Sequence, residues 1–217
     1  MRNKGLFVVV DGPSSSGKDS IIKQVLKDLK NLNIKAVSIE ETKEKNYNRK
    51  RILSSKKQRD KKLAESILKE RKKIYLERVL PFLAKGVIVI ANRGEPTTLA
   101  YQTLRDEISM EAIWKMHRVK NIPLPDLVII ANCSVEEAIR RESQRELSDE
   151  EKDKKFMSGK FTDNNYAKRK QIHASYEKVK NFLEDKGLIV IYLNIDTMEV
   201  AGESEIIVEC IEKKLNL

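Results

Sequence analysis

Cysteine is scarce in this chain: two in 217 residues, Cys133 and Cys210. A single pair makes no disulfide framework, so a reducing, cytoplasmic setting is expected, with Cys133 a buried thiol at a strand end. Histidine is equally scarce. His117 and His173 both lie far in sequence from Ser14–Ser16, so that triple serine reads as loop rather than as a nucleophile with its base. No cysteine–histidine spacing suggests zinc. Long hydrophobic runs are also missing. Stretches such as Val87–Ala91 fall far below the roughly 18–20 apolar residues a membrane helix needs. Met1-Arg2-Asn3-Lys4 precedes only a short apolar run that ends in Asp11, so no signal peptide is expected.

What is present suits one medium α/β domain over residues 1–217, with 40% hydrophobic and 35% charged residues. The net charge is +10, and its location matters. Between Lys43 and Lys73 stand 14 Lys/Arg against 4 Asp/Glu, an excess as large as that of the whole chain. Such an excess can attract nucleic acid, nucleotides or an anionic membrane surface, but charge runs are usually solvated helix faces. Tyr47 is the one aromatic in the segment, too little for base stacking, so nucleic acid is not an expected partner.

Strand and helix signals alternate along the chain. Leu6–Asp11, Lys35–Ile39, Val87–Ala91, Leu127–Ala131 and Leu188–Leu193 read as short buried strands. Helical spacing is expected over Ser20–Leu32, from Asn48 to Lys85, from Ser134 to about Arg145, over Tyr166–Asp185 and from Ala201 to Leu217. Pro81 should kink the second of these near its end, Gly86 and Gly187 should stop helices, and Ser134 should cap one. Trp114 and Met116 fit a core helix. Glu146–Asp163, polar and lysine-rich around Gly159, reads as a mobile lid. Five strands separated by helices predict a doubly wound parallel sheet flanked by helices on both faces, with ligands at the strands' carboxyl ends.

At the first of those ends the sequence runs Asp11-Gly12-Pro13-Ser14-Ser15-Ser16-Gly17-Lys18-Asp19-Ser20. Gly12, Gly17 and Lys18 are in register with a P-loop, G-x-x-x-x-G-K-[ST]. Gly12 and Gly17 permit backbone conformations that point successive N–H groups inward at an anion, the following helix adds its positive end, and Lys18 adds a mobile cation. The fold class is therefore that of a P-loop NTPase, with ATP as cofactor. Asp19 occupies the position of the hydroxyl that reaches magnesium. Three readings of the metal stay open: Ser20 supplies the hydroxyl, Asp19 binds magnesium itself, or Asp19 points away along the helix. Asp11 is another carboxylate near the phosphates.

The segment Asn92–Gln102, NRGEPTTLAYQ, resembles the Asp-Arg-Tyr…Ser-Ser-x-Ala-Tyr-Gln segment of thymidylate kinases, the P-loop enzymes that phosphorylate dTMP from ATP. Ile67-Leu68-Lys69-Glu70-Arg71 lies where that family has Phe-Ala-Ala-Asp-Arg, and Pro81 to Arg93 keeps the family spacing. Pro125–Arg145 is similar to the family's strand, helix entry and arginine-bearing approach to the lid. The likeness covers nearly the whole chain.

The resemblance implies a division of labour. Lys18 and the loop amides hold the ATP phosphates with magnesium, and Arg93 binds the acceptor phosphate. Arg71 approaches the acceptor, Thr97 and Thr98 offer hydroxyls to the base, and Tyr101 packs near the sugar. Some members carry a catalytic arginine inside the loop; Ser15 stands there, so the lid type is the better match, with Arg141 and Arg145 as its arginines. Lys152, Lys154, Lys155 and Lys160 are less directional cations. Nucleotide kinases of the adenylate and cytidylate type also place a hydroxyl one step late, as Ser20 is here. A homodimer is implied by the resemblance alone.

Several positions depart from the family pattern. Ser14 replaces the loop carboxylate that meets the sugar 3′-hydroxyl, Ile67 replaces the phenylalanine that stacks on thymine, and Asn92 replaces the aspartate before Arg93. The Arg-Glu-Pro-Gly-Gly stretch after the second strand is absent. The expected activity is phosphorylation of a nucleoside monophosphate, dTMP foremost. The alternatives are a catalytically weak or non-catalytic nucleotide-binding homologue, or a kinase for a different nucleotide or nucleoside.

Overall fold

Valine and isoleucine runs place five strands side by side in the computed structural model, which describes residues 5–41, 60–104, 108–147, 163–196 and 199–216. These are β1 (Phe7–Asp11), β2 (Ala36–Glu40), β3 (Ile88–Asn92), β4 (Leu127–Asn132) and β5 (Val190–Asn194). All pair in parallel, in the order β2-β3-β1-β4-β5. Residue alternation assigns each face. Phe7, Val9, Val89, Ala91, Val128 and Ile130 look into one core, and Val8, Val10, Ile88, Ile90 and Ile129 into the other. The central strands are buried on both faces, which is why they carry unbroken apolar runs.

Helices cover both faces. On one side lie α1 (Lys18–Asn31) and α8 (Val200–Leu215), whose Ile21, Val25, Leu29, Ile207 and Ile211 fill that core. The other side holds α2 (Asp60–Ile74), α4 (Glu95–Gln102), α5 (Met110–Val119) and α7 (Asp163–Asp185). Helix α6 (Val135–Leu147) follows β4, and Ser134 caps it by accepting the Glu137 N–H at 3.2 Å.

The kink expected at Pro81 takes a specific form. The helix widens into a π turn over Tyr75–Val79, with the Leu80 N–H bonded to the Tyr75 carbonyl, before the short α3 (Leu80–Leu83). Pro81 has no N–H to donate and its ring crowds the preceding turn, so the ladder shifts by one residue there. That shift accompanies a fully buried Tyr75, whose ring packs edge-on against Phe7 at 5.0 Å. The helix expected from Asn48 begins, within the described residues, at Asp60. The start expected at Tyr166 falls at Asp163. Trp114 and Cys133 are buried, as expected, while Met116 is half-buried against the core. Among the described residues no helix is long and apolar enough to cross a membrane.

The sheet register sets the site. Val10 pairs with Asn92 of β3, and Asp11 with Ile130 of β4. Chains leaving β1, β3 and β4 therefore emerge together at one edge.

Candidate active site

β1 delivers the chain into the phosphate loop at a position only glycine fills. Gly12 has φ +153°, and a Cβ there would stand 2.0 Å from the Ala131 carbonyl oxygen. Ser15 (φ +62°) and Gly17 (φ +88°) are also left-handed, and such turns direct successive N–H groups into one concavity. Lys18 opens α1 and is only 5% exposed; its Nζ donates to the Pro13 carbonyl at 3.0 Å, folding the ammonium back across the loop. The positive end of α1 faces the same hollow. Ser16 is fully buried, with an Oγ that has no hydrogen-bond partner, and Ser14 is exposed.

Arg141 braces the loop from α6. Its Nη1 donates to the Ser16 carbonyl at 3.1 Å, Nη2 to the Ile195 carbonyl at 2.9 Å, and Nε to Glu137 at 2.6 Å. The guanidinium lies so close that a Cβ on Gly17 would meet Nη1 at 2.8 Å. Hydrogen bonds from Arg140 and Arg141 hold the Glu137 carboxyl down at about 2. Arg145 stands four residues further along α6. The lid expected over residues 146–163, with Lys152, Lys154, Lys155 and Lys160, lies almost wholly outside the described residues, as does most of the basic segment.

Asp11, expected among the metal ligands, is the hub of the adjoining turn. It is fully buried. Oδ1 accepts from the Gly12 N–H at 2.7 Å, the Thr97 hydroxyl at 2.6 Å and the Tyr176 hydroxyl at 3.0 Å. Oδ2 accepts from the N–H groups of Gly94 and Thr97 at 2.8 and 2.9 Å. Five donors occupy both oxygens, tying the phosphate loop to the turn after β3. On that turn sits Arg93, at φ +77°, a conformation that costs a non-glycine residue on the order of 1–3 kcal/mol. The Arg93 N–H donates to Val10 at 2.9 Å, and Nη1 to the Thr97 hydroxyl at 3.3 Å. Burial pulls the Arg93 pKa down, but Asp11, Tyr176 and Tyr101 outweigh it and hold the group charged.

Arg71 is placed more deeply than the sequence suggests. It is 2% exposed, donates from Nε to Glu41 at 2.7 Å and from Nη1 to the Thr98 hydroxyl at 3.1 Å. Burial pulls its pKa down, yet Glu41 and Glu95 prevail and raise it; burial in turn pushes the Glu41 carboxyl up against the pull of Arg71. Beside this pair, Glu95 accepts from His117 Nε2 at 2.9 Å, and His117 stacks on Trp114. Burial pushes the Glu95 carboxyl up, but His117 and Arg71 overcome it and hold it low. Ile67 lies half-buried one turn before Arg71.

Asn92 and Asp19 meet across the mouth of the loop. Asn92 Nδ2 donates to Asp19 Oδ1 at 2.7 Å, and Asp19 and Ser20, consecutive residues of α1, are both exposed. A cleft of about 260 Å³ is lined by Pro13 and Ser14 of the loop, Tyr101 of α4, and Lys168, Arg169 and His173 of α7. Burial pulls the His173 pKa down, and its Nδ1–H donates to the Cys133 carbonyl at 2.8 Å. The structure thus brings the loop, Arg93, Thr97 and Tyr101 to one edge of the sheet. Arg71 and Thr98 form a deeper layer behind them.

Four groups here escaped the sequence reading: Glu41, Tyr176, and the Glu95–His117 pair. Glu95 had a visible signal, a carboxylate opening a helix directly after Arg93-Gly94. Glu41 and Tyr176 had none, since their partners lie 30 and 165 residues away.

Comparison with known proteins points the same way. The family model for thymidylate kinase matches residues 10–178, from β1 into α7. The thymidylate kinase of Leptospira interrogans is 26% identical over 219 residues, covering 98% of this chain and 95% of that protein. The thymidylate kinase of Clostridium novyi is 29% identical over 148 residues, 65% of this chain and 72% of that one. A probable thymidylate kinase of Pyrococcus abyssi is 42% identical over 67 residues, 31% of each. The chain belongs to the thymidylate kinase family.

Proposed function

We propose that this protein transfers the γ-phosphate of ATP to a nucleoside monophosphate, with dTMP as the acceptor. The observation that carries the reading is the tie between two phosphate-handling groups. Asp11 bonds at once to Gly12 of the loop and to the Gly94–Thr97 turn that presents Arg93. Loop amides and Lys18 serve the donor, and Arg93, a planar cation with five donors, serves the acceptor phosphate. In-line phosphoryl transfer asks mainly for such positioning and charge neutralisation. The donor set of the loop fits ATP, and magnesium, held from the Asp19–Ser20 turn of α1, would supply charge neutralisation for the phosphates. Arg141 steadies the loop, and Arg145 on the same helix is the second arginine assigned to the transferring phosphate.

Ser14 and Tyr101 share the cleft beside the loop, which is where the acceptor sugar belongs on this reading. Thr98 and Arg71 stand behind it and shape the base pocket, with Ile67 as an aliphatic wall. A second reading, a nucleoside monophosphate other than dTMP, draws support from the Glu41–Arg71 pair, which commits the Arg71 fork to a carboxylate inside the protein. A homodimer completes the proposal, checked by sedimentation.

Thermal shift with ATP, dTMP and a panel of other nucleoside monophosphates tests the assignment, because a ligand bound by the folded state alone raises the melting temperature by mass action. ATP and dTMP should each raise it, and the ATP shift should vanish in Lys18→Ala. No shift with any nucleoside monophosphate would remove the acceptor half of the proposal.

A further inference from the structure

The family pattern has a hydroxyl after the loop lysine and an aspartate before the arginine of the third strand. This chain has Asp19 and Asn92 at those positions. The structure joins them: Asn92 Nδ2 lies 2.7 Å from Asp19 Oδ1, although 73 residues separate them in sequence. One carboxylate is therefore kept in that corner of the site, but it stands on α1 and no longer on β3.

We propose that Asp19 is this chain's magnesium-side carboxylate and that Asn92 is the residue that positions it; the proposal rests on the reading of the loop as a magnesium–ATP site. Three observations converge. First, Asp11, the carboxylate that ends β1, has both oxygens filled by five donors inside the protein. Second, Asp19 holds the position directly after Lys18, whereas Ser20 follows about 100° further round the helix. Third, Asn92 is 8% exposed, and its Oδ1 is buried with no hydrogen-bond partner. A buried carbonyl without a donor costs about 1–3 kcal/mol, and a water in the shell of a cation held by Asp19 is a fitting donor.

The chemistry of the donor set agrees. Magnesium takes oxygen ligands, keeps several waters, and is held in general by one or two carboxylates together with substrate phosphates. The bond from Asn92 Nδ2 to Asp19 Oδ1 orients the carboxylate. Asparagine also suits position 92 now that the charge sits at 19. An aspartate there would set two carboxylates against each other at hydrogen-bond distance.

The test replaces magnesium by manganese and reads metal binding directly, by water-proton relaxation of the protein–ATP–manganese complex. The variants are Asp19→Ser, Asn92→Asp and the double swap, and metal-free ATP binding by each reports an intact loop. Asp19→Ser should weaken manganese binding at least 10-fold while metal-free ATP binds no worse. Asn92→Asp should lower the melting temperature without metal and regain it with manganese. The double swap, which restores the family pattern, should recover manganese affinity to within about 3-fold of the unsubstituted protein. Manganese affinity unchanged in Asp19→Ser, or a double swap no better than Asp19→Ser alone, would overturn the proposal. A protein that meets these metal expectations yet phosphorylates no acceptor would count against the kinase reading only.

Discussion

The phosphate loop and the acceptor wall stand side by side at the carboxyl ends of β1 and β3, yet they use charge in opposite ways. The loop works through backbone. Gly12, Ser15 and Gly17 turn amides toward a hollow, and Lys18 folds its ammonium back across it. The wall works through side chains already bonded to one another. Arg71 is held by Glu41 and Thr98, Thr97 by Asp11 and Arg93, and Glu95 by His117. The difference teaches where each half can change. A loop made of backbone geometry tolerates Asp19 and Ser14 as long as its glycines stay. A wall made of buried groups bonded to one another in pairs is altered at least cost by replacing partners together.

Substitutions on the two sides should separate these behaviours. The largest effect is expected at Glu41→Ala, which leaves the Arg71 guanidinium buried without its partner; a loss of about 3–5 kcal/mol should appear in urea unfolding. Should Glu41→Ala unfold like the unsubstituted protein, the wall is not held as described. Lys18→Ala should do the reverse. Turnover should fall about 10²–10³-fold with stability little changed, because the lysine serves the bound triphosphate and not the core.

A smaller effect concerns Glu203, a buried residue in the first turn of α8. Burial pushes its carboxyl up to about 7, against a partial pull from Arg141. Its folded value lies above its unfolded one, so the stability linked to its proton is complete below about 4.5 and is lost as pH rises through about 7. Glu203→Gln should therefore gain about 1–2 kcal/mol over the parent at pH 8 and none at pH 4, a contrast that melting curves at the two pH values would show. The smallest effect is expected at Thr98→Val. Removing the hydroxyl that accepts from Arg71 should cost about 1 kcal/mol, and KM for the acceptor should rise while KM for ATP stays put. Equal changes in both KM values would blur the division between loop and wall.

The sequence exposed the loop more fully than the wall. Valine-rich runs, a glycine at each required turn, Ser134 before a helix and Gly187 after one are local signals. They located the five strands, the parallel sheet and Gly12–Lys18. The wall depends on pairings between distant residues, for which local periodicity carries no sign. Asp11 meets Tyr176, Glu41 meets Arg71 and Asp19 meets Asn92 only after β1, β2 and β3 are aligned. Pro81 announced a kink, but not its form as a π turn over Tyr75–Val79, in which Tyr75 packs on Phe7. At the end of β1, Asp11 likewise gave no hint in sequence of the five donors around it.

Transfer itself is the most direct test. Purified protein with magnesium, ATP labelled at the γ-phosphate and dTMP should yield labelled dTDP, and Lys18→Ala should slow its formation about 10²–10³-fold. Unlabelled products with dTMP and with every other nucleoside monophosphate, from protein that still binds ATP, would contradict the account.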